Sequence, residues 1–213
     1  MINFTHSLKK EAPLSFFLIL LCLLIGSCAE QRLHPEDVEY REDDNGSQTL
    51  YQIGEDNPFG EREIAFVVDN YPNGNKHFEV GFRNGLREGE FTFWQKNGIK
   101  LLTGSYRKGL RHGKFTAYGK TGELVYVKNY MDGELDGNFT LFYPASNNDV
   151  LRYEEKLNEE GKDPGEIPVK NHLRLQVTFA DGNPAGIYRS YFHPGDLNVS
   201  DNPGPLNVTQ KDL

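Results

Sequence analysis

Three rows of six residues constrain this chain more than anything else in it. The first is Gly89-Glu90-Phe91-Thr92-Phe93-Trp94, the second Gly113-Lys114-Phe115-Thr116-Ala117-Tyr118, and the third Gly137-Asn138-Phe139-Thr140-Leu141-Phe142. Each starts 24 residues after the one before it. Gly, Phe, Thr and a closing aromatic recur at fixed offsets, which marks an internal repeat. A repeat of this length is one supersecondary unit that buries its apolar face only by stacking on its neighbours.

Each unit carries two turns. One is the series Asn73-Gly74, Asn97-Gly98 and Thr121-Gly122; Asn-Gly between alternating segments predicts hairpins with type I′ turns, which need positive φ at both central residues. The other has two glycines four apart: Gly85 and Gly89, Gly109 and Gly113, Gly133 and Gly137. Between turns lie segments rich in β-branched and aromatic residues, which predict strands over 76–83, 90–96, 99–107, 114–118, 123–131 and 138–143. Residues 48–53 and 63–70 also read as strands, and Tyr51-Gln52-Ile53-Gly54 reads as a degenerate first copy of Phe82-Arg83-Asn84-Gly85. After Tyr143 the period breaks. Residues 150–157 read as a strand and 158–170 as a polar insertion; residues 173–179 form a further strand, followed by a displaced final copy, Asp181-Gly182-Asn183-Pro184-Ala185-Gly186-Ile187-Tyr188. No stretch shows a convincing helical period over ten residues. The expected fold is all-β: an elongated antiparallel meander of stacked β-hairpins.

The first 27 residues have another character. Lys9 and Lys10 precede an apolar run from Leu14 to Ile25 that ends in Gly26-Ser27-Cys28. A charged start, a short apolar run and small residues at its end make a secretory signal, too short to span a bilayer comfortably. Ile25-Gly26-Ser27-Cys28 resembles the bacterial lipoprotein signal, which implies cleavage before Cys28 and a lipid on its sulfur. Two or three acyl chains hold a protein at a membrane where one holds it only marginally. Ala29 after the cysteine resembles outer-membrane lipoproteins of Gram-negative cells, so the expected location is the cell envelope. Cys22 leaves with the signal, and no disulfide or thiol chemistry remains. Residues 28–47 are rich in carboxylates and read as a flexible acidic tether. The repeat domain is expected over 48–195, with an insertion at 144–172, and residues 196–213 read as a loose tail.

Losing Lys9, Lys10 and Glu11 moves the formal net charge from −8 to −9. An acidic chain lacks the basic footprint of a nucleic-acid binder. No nucleotide-binding fingerprint, nucleophile elbow or metal-ligand spacing occurs, so no cofactor, metal or catalytic residue is expected. Asp132-Gly133-Glu134-Leu135-Asp136-Gly137 mimics the start of a calcium loop, but Tyr143 stands where the bidentate glutamate belongs.

The pattern aromatic-x-x-Gly-x-x-x-Gly-x-aromatic appears as Phe82…Phe91, Tyr106…Phe115, Tyr130…Phe139 and Phe179…Tyr188. It resembles the MORN repeat (membrane occupation and recognition nexus), and more closely its bacterial variant, over about residues 69–143 and 173–195. The resemblance implies stacked hairpins in a curved sheet. It also implies scaffold, dimerisation or lipid-contact roles, or an antitoxin-like one, without any shared catalytic residue.

Two aromatic rows follow from the repeat: Phe91, Phe115, Phe139 and Tyr188, and, three residues on, Trp94, Tyr118, Phe142 and Tyr191. An odd separation puts the rows on opposite faces of a sheet. Either both rows stack hairpins together, or the Trp94 row lines a surface for a protein or glycan partner, with Arg83, Arg87, Arg107 and Arg111 near one set of turns. The expectation is a lipid-anchored, non-catalytic envelope scaffold. Its alternatives are an immunity-type inhibitor that binds a toxin and, less favoured, a hydrolase using a cross-strand carboxylate pair.

Overall fold

The structure, a computed structural model, describes residues 30–44, 46–191 and 211–212. Short strand β1 (Arg32–Leu33) leads through a single 3-10 turn (Pro35–Asp37) into β2 (Val38–Glu42) and β3 (Gln48–Gln52), which pair with each other as a hairpin. The main sheet then runs through β4 (Ala65–Asn70), β5 (Lys76–Arg83), β6 (Leu86–Trp94), β7 (Lys100–Arg107), β8 (Leu110–Arg111), β9 (Gly113–Tyr118), β10 (Leu124–Met131), β11 (Glu134–Leu135) and β12 (Gly137–Phe142). Helix α1 (Asn147–Glu160) interrupts it, and β13 (Leu173–Ala180), β14 (Asn183–Ser190) and β15 (Lys211–Asp212) complete it. Spatial order follows chain order from β4 to β15, every pair there is antiparallel, and β1 adds in parallel to β4. The result is an open, hairpin-connected β-sheet that does not close into a barrel.

The two turns differ in kind, and differ from expectation. At Asn73-Gly74, Asn97-Gly98 and Thr121-Gly122 only the glycine has positive φ. Tyr71 O accepts from Gly74 N–H at 2.8 Å, and Tyr71 N–H donates to Asn75 O at 2.8 Å. That is a three-residue loop, a type I turn closed by a left-handed glycine, not the type I′ turn its Asn-Gly suggested. The type I′ geometry belongs to the other series: Asn84, Lys108, Asp132 and Asp181 have φ of 49°, 50°, 47° and 47°, each followed by a positive-φ glycine. These turns stack. Gly109 N–H donates to Arg87 O, Gly133 to Arg111 O and Gly182 to Leu135 O, each at 2.9 Å. The last bond carries the ladder across the insertion into the displaced final copy.

One face of the sheet holds the core. Val67, Val80, Phe82, Phe91, Phe115 and Tyr130 cluster there, and Leu50 and Phe59 pack onto them from the β2–β3 hairpin and the loop after it. The supposed tether is therefore folded from Gln31 onward. Its apolar Leu33 and Val38 join the core, while its acidic groups serve turns: Asp37 accepts from His34 N–H and Asp43 from Ser47 N–H. Nor does β3 enter the ladder as a first repeat copy. Gly85 N–H donates instead to Phe59 O, and Asn84 N–H to Gly60 O.

Residues 150–157, expected as a strand, lie inside α1. Ser146 caps it, accepting from Asp149 N–H, while the Asp149 carboxylate accepts from Ser146 N–H. Gly161 ends the helix in the left-handed conformation. Tyr153 and Ile167 bury against Ile99 at a turn of the sheet. The signal segment, Cys28 and residues 196–210 of the expected tail lie outside the described residues; Lys211–Asp212 pairs with β14.

Candidate functional site

Phe91 is 3 % exposed and Phe115 5 %, and their rings stand 5.3 Å apart. Tyr106 and Tyr130 extend this contact at 5.1 and 4.9 Å. This row is core. Trp94, Tyr118, Phe142 and Tyr191 are half-buried and belong to neither apolar cluster. Among the described residues no ring contact joins any two of them. Strand alternation places them on the face opposite Phe91. They occupy β6, β9 and β12 and the end of β14, every second strand in the sheet order, a repeat of about 9.5 Å given the usual strand spacing.

Three of the four sit just past a break in register. Phe93 pairs with Leu102 but Trp94 with Lys100; Ala117 pairs with Tyr126 but Tyr118 with Leu124; Leu141 pairs with Leu175 but Phe142 with Leu173. The extra residues are Leu101, Val125 and Arg174. Such bulges re-aim neighbouring side chains. Cations border the row: Lys76 Nζ lies 5.2 Å from the Trp94 ring centre, and the Arg174 guanidinium 5.7 Å from that of Tyr143. Tyr191 Oη donates to Gln176 Oε1 at 2.8 Å. Beside the aromatics runs a polar lane of directly paired residues: Thr92, Thr103, Thr116, then Val127, Thr140, Gln176 and Arg189.

The turn arginines do not join this row. Arg87 stacks over Tyr106 at 5.4 Å and Arg111 over Tyr130 at 4.4 Å, capping rings of the core row. Arg107 bonds Asp132 at 2.6 Å, and that bond first of all holds the aspartate below the usual carboxylate range. Asp132, the first residue of the calcium-like stretch, is thus a turn residue tied to an arginine. Among the described residues no group of three His, Cys, Asp or Glu is placed to hold a metal ion.

The insertion builds a second feature that its sequence did not announce. A cleft of about 370 Å³ lies between α1, the 167–172 segment and the Thr121 turn, lined by Glu123, Asp149, Arg152, Lys156, Lys170 and His172 among others. Two carboxylates line the cleft, and both are engaged by the fold. Glu123, 5 % exposed, accepts from Thr121 N–H and Oγ1–H at 3.0 and 2.7 Å, and from Ala145 N–H at 3.3 Å. Asp149 is pulled below the usual range chiefly by the Ser146 hydroxyl, the wrong direction for a general acid. Gly119 makes room for Glu123: any Cβ there would fall onto the Glu123 carboxylate.

No family model matches the chain, and no curated protein is significantly similar to it. One solved structure that it resembles is described as a GtfA/B complex bound to UDP and GlcNAc. The match is 20 % identical, covers 46 % of this chain and 26 % of that one, and has a TM-score of 0.24, too slight to carry an argument. Among the described residues no helix is long and apolar enough to cross a membrane.

Proposed function

We propose that the protein is a lipid-anchored, non-catalytic scaffold of the cell envelope, held at the outer membrane through Cys28, whose sheet presents the Trp94, Tyr118, Phe142 and Tyr191 row to a protein or glycan partner. The observation that carries the reading is the division of labour between two rows from one repeat. Phe91 and Phe115 are packed ring to ring in the core, and Phe139 contacts Phe179. The Trp94 row repeats as regularly, lies off the core, stacks on nothing of its own kind and is flanked by cations and hydroxyls. Amphipathic aromatics with adjacent hydrogen-bonding groups suit recognition of sugar faces or of extended protein. The engagement of Glu123 and Asp149 in capping bonds supports the non-catalytic part.

The test is crosslinking of the full chain in its own cells, read by mass spectrometry, beside a Trp94→Ala/Tyr118→Ala variant. A specific crosslink lost in the variant supports the scaffold. A basic toxin as the captured protein turns the reading to an inhibitor, which the acidic charge of the cleaved chain also suits. A crosslink pattern unchanged by the variant removes the Trp94 row as a contact surface. For the anchor, Cys28→Ser is expected to move the protein from the membrane fraction to the soluble fraction.

A further inference from the structure

The core face is roofed at its N-terminal end but not filled. The β2–β3 hairpin lies over β4 to β7, and a cleft of about 390 Å³ remains between roof and sheet. Its walls are apolar: Val38 and Leu50 from the hairpin, Phe78, Val80, Phe91 and Phe93 from the sheet. Protein interiors close up to crystal-like density and leave few voids larger than a water molecule. Here the roof is pinned and cannot settle. Leu50 N–H donates to Gly85 O at 3.0 Å on one side, and Phe66 N–H to Gln31 O at 2.8 Å on the other. Concave, mostly apolar clefts accept apolar guests, and the volume falls within the usual range for a small-ligand site, about 300–1,000 Å³.

Charge at the lining selects the guest further. Two ionic side chains border the cleft, Glu39 and Arg87. Glu39 is neutralised by Arg41 at 2.9 Å. Arg87 has only the Tyr106 ring beneath it, and no carboxylate partner among the described residues. An apolar cleft with one cation unmatched at its border fits a chain with an acidic head. We propose that this cleft binds a single-chain carboxylate amphiphile of the fatty-acid class, its tail against Phe78 and Phe93 and its carboxylate on Arg87. The site is separate from the Trp94 row, on the other face of the sheet, and stands or falls independently of it.

Native mass spectrometry of the full chain, released from detergent after incubation with palmitate or with methyl palmitate, tests this. The expected result is one palmitate per chain, with methyl palmitate held more weakly. Arg87→Gln should weaken palmitate binding about tenfold, the size of one lost hydrogen bond to a charged group, and leave methyl palmitate unchanged. Val38→Trp should fill the cleft and abolish both. Absence of a palmitate adduct overturns the proposal. So does equal binding of acid and ester that ignores Arg87→Gln, an exposed position whose folding is easily checked should Val38→Trp not fold.

Discussion

Glu79 shows how a single side chain sets the acid limit of this sheet. Burial raises its pKa, but hydrogen bonds from Arg32 at 2.8 Å and Lys76 at 3.0 Å outweigh burial, and the net shift is downward. A carboxylate with a lowered folded-state pKa contributes stability above its unfolded value, and that contribution is lost as pH falls through the folded one. Wild-type protein should therefore be more stable than Glu79→Gln near neutrality, with the gap closing below about pH 4 in urea titrations. A gap that persists unchanged to lower pH would contradict the assignment. Gly81 gives a steric test. A Cβ there would meet the Glu88 carbonyl oxygen, and Ile64 Cγ2 at 3.1 Å. Gly81→Ala should cost about 2 kcal/mol in urea unfolding; a change within about 0.5 kcal/mol would mean that the break in β5–β6 register between Val80 and Phe82 relaxes to admit it. At this scale the sequence was legible where geometry demanded a residue type, as in the paired glycines of each turn. Glu123 was not legible, because its hydrogen-bond partners come from Thr121 and from Ala145 across the start of the insertion.

Whole elements were legible in proportion to their repetition. Strands β5, β6, β7, β9, β10 and β12 followed from the 24-residue period, because cross-strand packing demands the same residue at the same depth in every copy; the two-residue β8 and β11 did not. The helix was missed because its apolar stripe is short: Val150, Tyr153 and Leu157 stand at helical spacing, but only Tyr153 is buried and the rest of α1 is exposed and polar apart from Leu151. Its caps were the readable sign, Ser146 three residues before Asp149 and Gly161 at the end. Ser146→Ala should cost about 1 kcal/mol and speed amide exchange in the first turn of α1. Tyr153→Ala should cost about 3 kcal/mol and undock the helix from Ile99, visible as lost protection around Ile167. Strand β2 was hidden by composition, whereas β3 was read from residues 48–53. The carboxylates around β2 looked like solvated charge, yet Asp37 and Asp43 are turn acceptors, and Leu33, Val38 and the buried Leu50 bind these segments to a core already built by the repeats.

For the whole molecule, the central claim is that one repeat wrote two rows with different duties. Phe91 and Phe115 hold neighbouring hairpins together; in the function proposed above, Trp94, Tyr118, Phe142 and Tyr191 meet a partner. The sequence put the rows on opposite faces but could not say which face has a roof, since that depends on the hairpin at one end and the helix at the other. Paired thermal unfolding of Phe91→Ala and of Trp94→Ala/Tyr118→Ala, read together with partner crosslinking, tests the claim most directly. The account predicts that Phe91→Ala loses about 3 kcal/mol or more, while the Trp94→Ala/Tyr118→Ala protein melts within a few degrees of wild type and loses its crosslink. If the double variant unfolds as readily as Phe91→Ala, both rows are core and the partner surface lies elsewhere.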